Sequence, residues 1–525
     1  MDDPAEPAAD SVPPRILFTS EGLERGLTEP VVSQEEVSGD EGEGGTAVVV
    51  AQDLDADGDI DLLIGHLGLG PSIHENTGDG HFVDHGRPWD LSVQTQWDWL
   101  PAPAAAVRSI GVAATDLDGD GLPEVLNSSF GVVVAFQNLG GLQFGAPVVL
   151  YEDPSPGRLF RVHPGDVDGD GRLDLLIPSQ VVDGEDLAPQ ALHDLLLGDA
   201  DGGFTLSHQL RVEPVGSDAQ TGILSDVDGD ALPDALIFMD QGQRSGAFTH
   251  RTGGGSLELE DRAAALGLDP YMNVMGVDAA DLNGDGRPDL VVTVLGPPLV
   301  FLSDDDSFIE SGPALGIAPA ASVGEWATVG WSLSLADLDN DCDLEIIQSS
   351  GRAYGTTRGY HDLLWSPEAS GQYTDVTVAA GLGSEVDHYG VAAADLTGDG
   401  CVDLVFAGPG EPPELLVGHC GDGHWIEVDL AGPPGNAEGY GALIEIASPC
   451  GPGAREILSV RAGSQDPSLV HAGLGADADP VDIRVRWPGG EAHVARSVAV
   501  DQRIQLRHPD TLVPPAASSA LLSTP

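Results

Sequence analysis

Three features of this sequence predict an all-β fold, a seven-bladed β-propeller followed by a small β-sandwich or barrel. Glycine (70 residues) and proline (39) are frequent, and no long segment carries a sustained 3.6-residue apolar period, which argues against helices. A nonapeptide rich in Asp and Gly recurs seven times. Between its recurrences the same succession of short apolar runs returns, which is the mark of a repeat architecture.

The nonapeptides begin at Asp53, Asp116, Asp166, Asp226, Asp281, Asp337 and Asp395, so the period is about 50 to 63 residues, too long for the helical solenoids. Each period holds an apolar strand of small residues such as "GVAAADL", the acidic loop, a strand such as "DLVF", another such as "ELLV", and an aromatic-led strand such as "YTDVT". Four strands in hairpin order describe one blade. The N-terminal "ILFTSEGLERGL" has the shape of "YTDVTVAAGL" with no inner strands before it, while the seventh repeat runs out after "ELLV". Residues 16–20 are therefore expected to complete the last blade and remove a free sheet edge. The resulting domain plan is an acidic Pro/Ala-rich linker at 1–14, the propeller at 15–420, a second β domain at 421–508 and a tail at 509–525.

Acidic side chains number 86 against 21 basic ones, a formal charge of -65, and an excess of this size destabilises a compact chain unless something offsets it. A cation is the expected partner. Every basic residue is Arg. Without lysine there can be no Walker phosphate loop and no Schiff-base or pyridoxal-phosphate chemistry, and nucleic acid is disfavoured for want of clustered positive charge. No window of about 18 apolar residues exists, so no membrane span is expected. The start "MDDPAEPAADSVPP" lacks a signal-peptide pattern and resembles the linker that follows a removed export signal or lipid anchor.

Why a chain this acidic crowds more carboxylates into turns is answered by metal chemistry. Positions 1, 3 and 5 carry side-chain oxygens, position 6 is usually Gly, and position 9 is always Asp or Glu. Calcium takes six to eight hard oxygen ligands at about 2.3 to 2.6 Å, and short acidic side chains on a sharply turning backbone supply them, with a position-7 carbonyl added. The candidate ligands, with the position-7 residue fourth in each set, are Asp53, Asp55, Asp57, Asp59 and Asp61; Asp116, Asp118, Asp120, Leu122 and Glu124; Asp166, Asp168, Asp170, Arg172 and Asp174. They continue with Asp226, Asp228, Asp230, Leu232 and Asp234; Asp281, Asn283, Asp285, Arg287 and Asp289; Asp337, Asp339, Asp341, Asp343 and Glu345; Asp395, Thr397, Asp399, Cys401 and Asp403. An EF-hand would need a Glu at position 12, where the first three loops have Ile64, Asn127 and Ile177. Metal-free Asp/Gly turns remain the bland alternative for any single loop, less so for seven.

The loops are not equivalent. Ala231 and Cys342 stand at position 6, where a Cβ disfavours a left-handed backbone, and Thr397 removes a carboxylate at position 3. The loops at Asp53, Asp116 and Asp166 are expected to bind most strongly, those at Asp226 and Asp395 most weakly. A site of about 0.1 mM affinity in a few mM calcium contributes roughly 2 kcal/mol by mass action, so about seven structural sites would together rival the stability of an ordinary domain.

With these residues in view, the region from about 15 to 420 resembles the FG-GAP or VCBS repeat proteins, the calcium-bearing propellers of integrin α subunits. The resemblance implies metal loops on one face and partners bound through the loops of the other. From "GHWIEVDLAG" onward the acidic loops stop. Gly441, Ala442, Ser464, Gln465, Gly473, Leu474, Gly475, Trp487, Pro488 and Gly489 match the ASPIC/UnbV domain of the cartilage acidic protein family, with Ala472 where that family often has Phe. The pairing implies a secreted or surface protein and no established reaction.

Other candidates stand beside plainer accounts. Cys342, Cys401, Cys420 and Cys450 allow three connectivities, with 342–401 and 420–450 conceivable and free buried thiols the alternative. His81 and His85, with His66 or His74, are a candidate transition-metal set, although exposed turn histidines are commoner. Trp97, Trp99, Trp326 and Trp331 lie in insertions that lead into inner strands and are candidates for a partner-binding face, with Arg108, Arg352 and Arg358 nearby, against ordinary packing. No Gly-x-Ser-x-Gly elbow, His-Glu-x-x-His motif or nucleophile constellation is present. The sequence thus favours an exported, calcium-loaded adhesion or interaction module binding a protein or glycan. The alternative is an enzyme of polysaccharide-lyase or natural-product-cyclase type, with its site in the propeller mouth or between the domains.

Overall fold

The computed structural model describes residues 16–28, 48–66, 69–89, 111–129, 131–153, 158–181, 192–212, 219–240, 242–251, 257–269, 271–304, 307–317, 329–351, 361–383, 386–448, 451–461, 463–476 and 478–509. Strands dominate. The helix Ala263–Leu266 is a single turn, and no helix among the described residues is long and apolar enough to cross a membrane.

Seven antiparallel sheets follow one another along the described chain, each beginning with a strand that leads into one of the acidic loops. The second blade is representative: Gly111–Thr115, Glu124–Ser129, Val132–Asn138 and Phe144–Glu152, paired in that order. The first strands are built of small residues, as in Gly276–Ala280 (GVDAA) and Gly390–Ala394 (GVAAA), and every residue of both is buried. Crowding near the axis explains the choice: Gly276 lies so close to Trp331 O that an added Cβ would sit 3.0 Å from it. Larger apolar residues fill the space between blades. One such layer joins Val49, Leu62 and Ile64 of the first sheet to Ala392, Val405 and Val417 of the last, which closes the ring.

The last sheet takes its outermost strand from the other end of the chain. Leu17–Ser20 pairs antiparallel with Glu414–His419, beyond Asp403–Ala407 and Gly390–Ala394. Phe18 anchors it among Leu382, Leu404 and Leu416, while Leu17 is half-exposed.

Beyond His419 the chain forms two further sheets. Leu469–Gly475, His424–Ala431 and Gln502–Arg507 make one; Gly451–Glu456, Leu443–Ser448, Val481–Arg486 and Ala492–Val498 make the other. Their inner faces share Ile426, Val428, Ile444, Ile483, Val485 and Trp487, and Leu173 of the propeller belongs to the same core.

From this domain, residues 456–461 and 463–468 enter the ring and between them touch the inner strand of every blade. Ser464–Gln465 runs parallel to Val49–Gln52. Gln465 imitates a strand residue with its side chain, its Nε2 donating to Ala114 O at 2.8 Å and its Oε1 accepting from Ala114 N at 2.9 Å. In the third blade Ser459 Oγ donates to Pro164 O at 2.6 Å, and in the fourth the Glu456 carboxylate accepts from Ser225 Oγ at 2.5 Å. Arg461 pairs with Asp278 of the fifth at 2.6 Å. Asp466 accepts from Ser334 of the sixth at 2.6 Å and from Ala393 N of the seventh at 3.0 Å, and also pairs with Arg461. The segment is a polar plug whose hydrogen bonds are met by inner-strand groups that burial would otherwise leave unsatisfied.

His163 fixes one flank of the plug. Its Nδ1 donates to Val460 O at 3.1 Å and its Nε2 accepts from Gly222 N at 3.3 Å, so only the neutral ring fits. Burial pushes its pKa down from 6.5 to about 4. The neutral form is the one the fold favours, so its stabilisation is whole above pH 6.5 and is lost as pH falls through about 4.

Two outcomes are expected. Phe18→Ala should cost about 3 to 5 kcal/mol in chemical unfolding, against less than about 1 kcal/mol for Leu17→Ala. Between about pH 7.5 and about pH 4.5 the parent should lose more thermal stability than His163→Gln, and equal losses would exclude His163 as a source of acid sensitivity.

Candidate metal centres

Each acidic nonapeptide folds as the loop between the first and second strands of its blade, and its carboxylates build the turn before they do anything else. In the second blade, Asp116 Oδ1 accepts from Gly119 N at 2.7 Å and Oδ2 from Gly121 N at 2.8 Å. Asp120 Oδ1 accepts from Leu122 N at 2.9 Å, and Glu124 Oε2 reaches back to Leu117 N at 2.8 Å. The same wiring returns in the third blade, with Gly171 N on Asp166, Arg172 N on Asp170 and Val167 N on Asp174. In all seven loops the position-9 carboxylate accepts from the position-2 amide, as Asp61, Asp234, Asp289, Glu345 and Asp403 also do. Its second oxygen often holds the third strand, for example Asn76 N at 2.8 Å from Asp61 and Ser303 N at 2.7 Å from Asp289.

This wiring turns the remaining oxygens toward one another. Among the described residues five loops gather three carboxylates with ligand atoms within 4.8 Å: Asp53, Asp55 and Asp57; Asp116, Asp118 and Glu124; Asp166, Asp168 and Asp174; Asp226, Asp228 and Asp230; Asp337, Asp339 and Glu345. The loops at Asp281 and Asp395 do not, since Asn283 and Thr397 replace the position-3 acid. Position 5 enters the cluster in the first and fourth loops and position 9 in the second, third and sixth. Asp170 is also engaged by Arg172.

The donor set fits a hard cation. Asp53 Oδ1, Asp55 Oδ1, Asp228 Oδ1 and Thr397 Oγ1 are buried without a hydrogen-bond partner. Burial pushes Asp61 and Glu124 up to about 8, Asp166 and Asp403 up to about 7, and Asp116, Asp289 and Asp395 up to about 6. Neighbouring carboxylates push the same way, and desolvated like charges of this kind ionise readily only beside a positive charge. Backbone strain separates the loops as the sequence anticipates: Ala231 and Cys342 adopt φ of 71° and 86° at the position that glycine fills elsewhere.

The second domain lies across this same face. Arg503 Nη1 donates to Gly58 O of the first loop at 2.9 Å, Glu438 Oε1 accepts from Asp116 N of the second at 2.5 Å, and Gly435 O accepts from Leu173 N beside the third at 2.8 Å. Gly489 N donates to Ala231 O of the fourth at 3.0 Å, Arg455 approaches Asp281 O of the fifth at 3.4 Å, and Gly473 N donates to Asp337 Oδ2 of the sixth at 3.0 Å. Trp425 packs over Gly400 of the seventh. A groove of about 520 Å³ between the first two loops and this domain is lined by Asp53, Asp57, Asp116, Asp429, Glu438 and Arg503, and a smaller cavity of about 80 Å³ lies by Asp278, Arg455 and Asp466.

Several expectations need correction or fall away. Cys401 is bonded to Cys420, with Cα atoms 5.3 Å apart, so 342–401 and 420–450 are not the pairs. Cys401 follows the turn of the last loop and Cys420 comes directly after the third strand of the same blade, Glu414–His419, which brings them together locally. Cys342 is also disulfide-bonded, and Cys450 lies outside the described residues. The histidines do not converge: His74 is buried against Ser72, His81 pairs with Asp79 and His85 with Glu75. Trp331 packs against Tyr389, while Trp97, Trp99, Trp326, Arg108, Arg352 and Arg358 lie outside the described residues. Sequence reasoning missed the residues that carry the docking, Glu438, Glu456, Arg461 and Asp466, which no local motif marks.

The geometry, seven loop-bearing sheets with a second β domain across the loops, agrees with what family comparison finds. A model of the FG-GAP-like repeat matches residues 53–127, 116–177 and 226–292, and a model named ASPIC and UnbV matches residues 432–513. The chain therefore carries FG-GAP-like repeats followed by an ASPIC/UnbV domain. Its relatives include cartilage acidic protein 1 of Mus musculus, 26% identical over 510 residues that span 86% of this chain and 72% of that protein. The Homo sapiens counterpart is 26% identical over 514 residues, spanning 89% and 73%. Among solved structures, an Agrocybe aegerita lectin that recognises non-reducing terminal N-acetylglucosamine aligns at 17% identity and a TM-score of 0.41, covering 71% of this chain and 87% of its own.

Position 6 gives a reciprocal test. A Cβ on Gly121 meets nothing within 4 Å, so Gly121→Ala should cost about 1 to 2 kcal/mol from its φ of +90° alone. Ala231→Gly should recover up to about 1 kcal/mol by the same reasoning, both read from urea unfolding midpoints.

Proposed function

We propose that this protein is an exported interaction module whose propeller is made rigid by about seven calcium ions and whose ligand, a protein or a glycan, meets the face away from the acidic loops. The observation that carries the metal assignment is the convergence of three carboxylates in five loops together with buried oxygens that have no partner. Calcium suits the donors because all are oxygens on a flexible, many-ligand turn, whereas magnesium demands a tighter octahedron. When bound, the ion supplies the positive charge that lets these carboxylates stay ionised out of water. The position-1 and position-3 side chains belong to the cluster in five loops, and its third carboxylate comes from position 5 in the first and fourth and from position 9 in the second, third and sixth. In the loops at Asp281 and Asp395, Asn283 and Thr397 lend neutral oxygens and weaken it.

Support for a ligand on the other face comes from occupancy of the loop face, where the second domain reaches all seven loops and its plug fills the ring from that side. The same plug argues against an enzyme site in the loop-side mouth. The relatives' name, cartilage acidic protein, accords with an extracellular setting and an acidic chain.

Thermal unfolding of metal-stripped protein, titrated with calcium and separately with magnesium while bound ions are counted by elemental analysis, tests the assignment. Six or seven calcium ions should bind and raise Tm steeply, with each well-formed site contributing roughly 2 kcal/mol at millimolar calcium. Fewer than three ions with little stabilisation would leave the carboxylate clusters without this explanation.

A further inference from the structure

Like charge is brought to the acidic face by the very domain that covers it. Glu438 places Oε1 on the backbone amide of Asp116 at 2.5 Å and buries Oε2 without a partner. Glu456 places its carboxylate on Ser225 Oγ and on Asp226 N, at 2.5 and 3.2 Å. Asp116 and Asp226 are each the first carboxylate of a three-acid cluster. In the sixth loop the contact is direct: Asp337, a member of its cluster, accepts from Gly473 N at Oδ2 at 3.0 Å, and Gly473 comes so near that a Cβ there would lie 2.4 Å from Asn340 Cα. The domain brings positive charge as well: Arg461 is committed to Asp278 and Asp466, Arg455 lies on Asp281 O, Arg486 stands 3.8 Å from Asp226 Oδ2 and Arg503 bonds Gly58 O, but none of these meets Glu438 or Asp116 in an ion pair among the described residues.

An interface that seats glutamates against aspartate clusters out of water is repulsive unless the clusters are neutralised, and the repulsion grows as the dielectric falls. With a cation in each loop, the same carboxylates meet a site of lower net charge and their hydrogen bonds to the loop amides become available. Occupancy of the loops and docking of the domain are therefore coupled, and coupling between two binding equilibria is reciprocal.

We infer that the acidic loops act as a cation-controlled latch: divalent cation holds the second domain and its plug in the propeller, and removing the cation releases the plug before the blades unfold. This rests on the metal assignment above. Undocked, the domain would free the polar inner-strand groups of Ala114, Pro164, Ser225, Asp278, Ser334 and Ala393, opening the ring from the loop face.

Hydrogen exchange of the full chain, read by mass spectrometry in calcium and in chelator, with circular dichroism confirming that strand content persists, tests this. Peptides covering residues 457–461 and 463–468 should exchange at least about tenfold faster in chelator, while second-strand peptides such as 124–129 and 289–293 change far less. Glu438→Gln with Glu456→Gln should move the calcium midpoint for plug protection severalfold lower, since less repulsion remains to be offset. Elemental analysis on the same samples separates the two claims. If no cation binds, the metal assignment and the latch fall together. If cations bind and their removal leaves the plug as protected as before, or if the double variant leaves the midpoint unmoved, the latch is overturned and the metal assignment stands.

Discussion

Mutual repulsion among carboxylates that also have to build the turns is the constraint on which the rest of this molecule depends. Asp116 and Glu124 illustrate it: their oxygens take up the amides of Gly119, Gly121 and Leu117, so neither can be dispensed with as a charge without losing the turn it shapes. Because the turn and the cluster are made of the same side chains, shaping the turn also gathers the carboxylates that could hold a cation. The same side chain also ties the loop to its blade, as where Asp61 accepts from Leu54 N at the loop's start and from Asn76 N of the third strand.

A ring of blades ordinarily behaves like a repeat array, in which each unit touches only its neighbours. Two features make this ring more cooperative. Leu17–Ser20 joins the start of the described chain to the last sheet, so opening the ring requires breaking a blade. The plug, residues 456–461 and 463–468, bonds to every blade at once, and Gln465 does so by satisfying both the amide and the carbonyl of Ala114. Several residues that mark the second domain in sequence, among them Gln465, Gly473 and Gly489, are thereby accounted for as contacts to the propeller rather than as parts of that domain's own core.

The fold class was legible because period, loop and strand order are local properties repeated seven times. The acidic residues that gather into clusters were legible for the same reason, as was the missing third-position acid at Thr397, but the loop at Asp226, expected among the weakest, gathers its three carboxylates, and the loop at Asp281, where Asn283 was expected to serve as a ligand, does not. What escaped was long-range and unrepeated. Ser464, Gln465 and Gly473 stand out in the sequence only as a family signature, and nothing in their spacing says that the first two enter the ring or that Gly473 meets its sixth loop. The Cys401–Cys420 pair lies within one blade, yet choosing it over the alternatives needs the hairpin register that puts loop and strand end side by side. His163 carries no motif at all, and its importance arises from Val460 and Gly222 closing on it from two other elements.

The two loops without glycine at position 6 show how the halves of the molecule depend on each other. Ala231 and Cys342 hold left-handed backbones that cost a residue with a Cβ about 1 to 2 kcal/mol. These are also the loops to which, among the described residues, the second domain donates backbone amides: Gly489 N to Ala231 O in one, Gly473 N to Asp337 Oδ2 and Gly475 N to Asn340 O in the other. Asn340 is itself left-handed at φ of 58°. Strained backbone persists where surrounding contacts over-determine it. Docking supplies those contacts, so the loops with the poorest intrinsic turn chemistry are the ones whose shape is most owed to the neighbouring domain, and the loops at Asp116 and Asp166, with glycine at position 6, hold theirs by their own sequence.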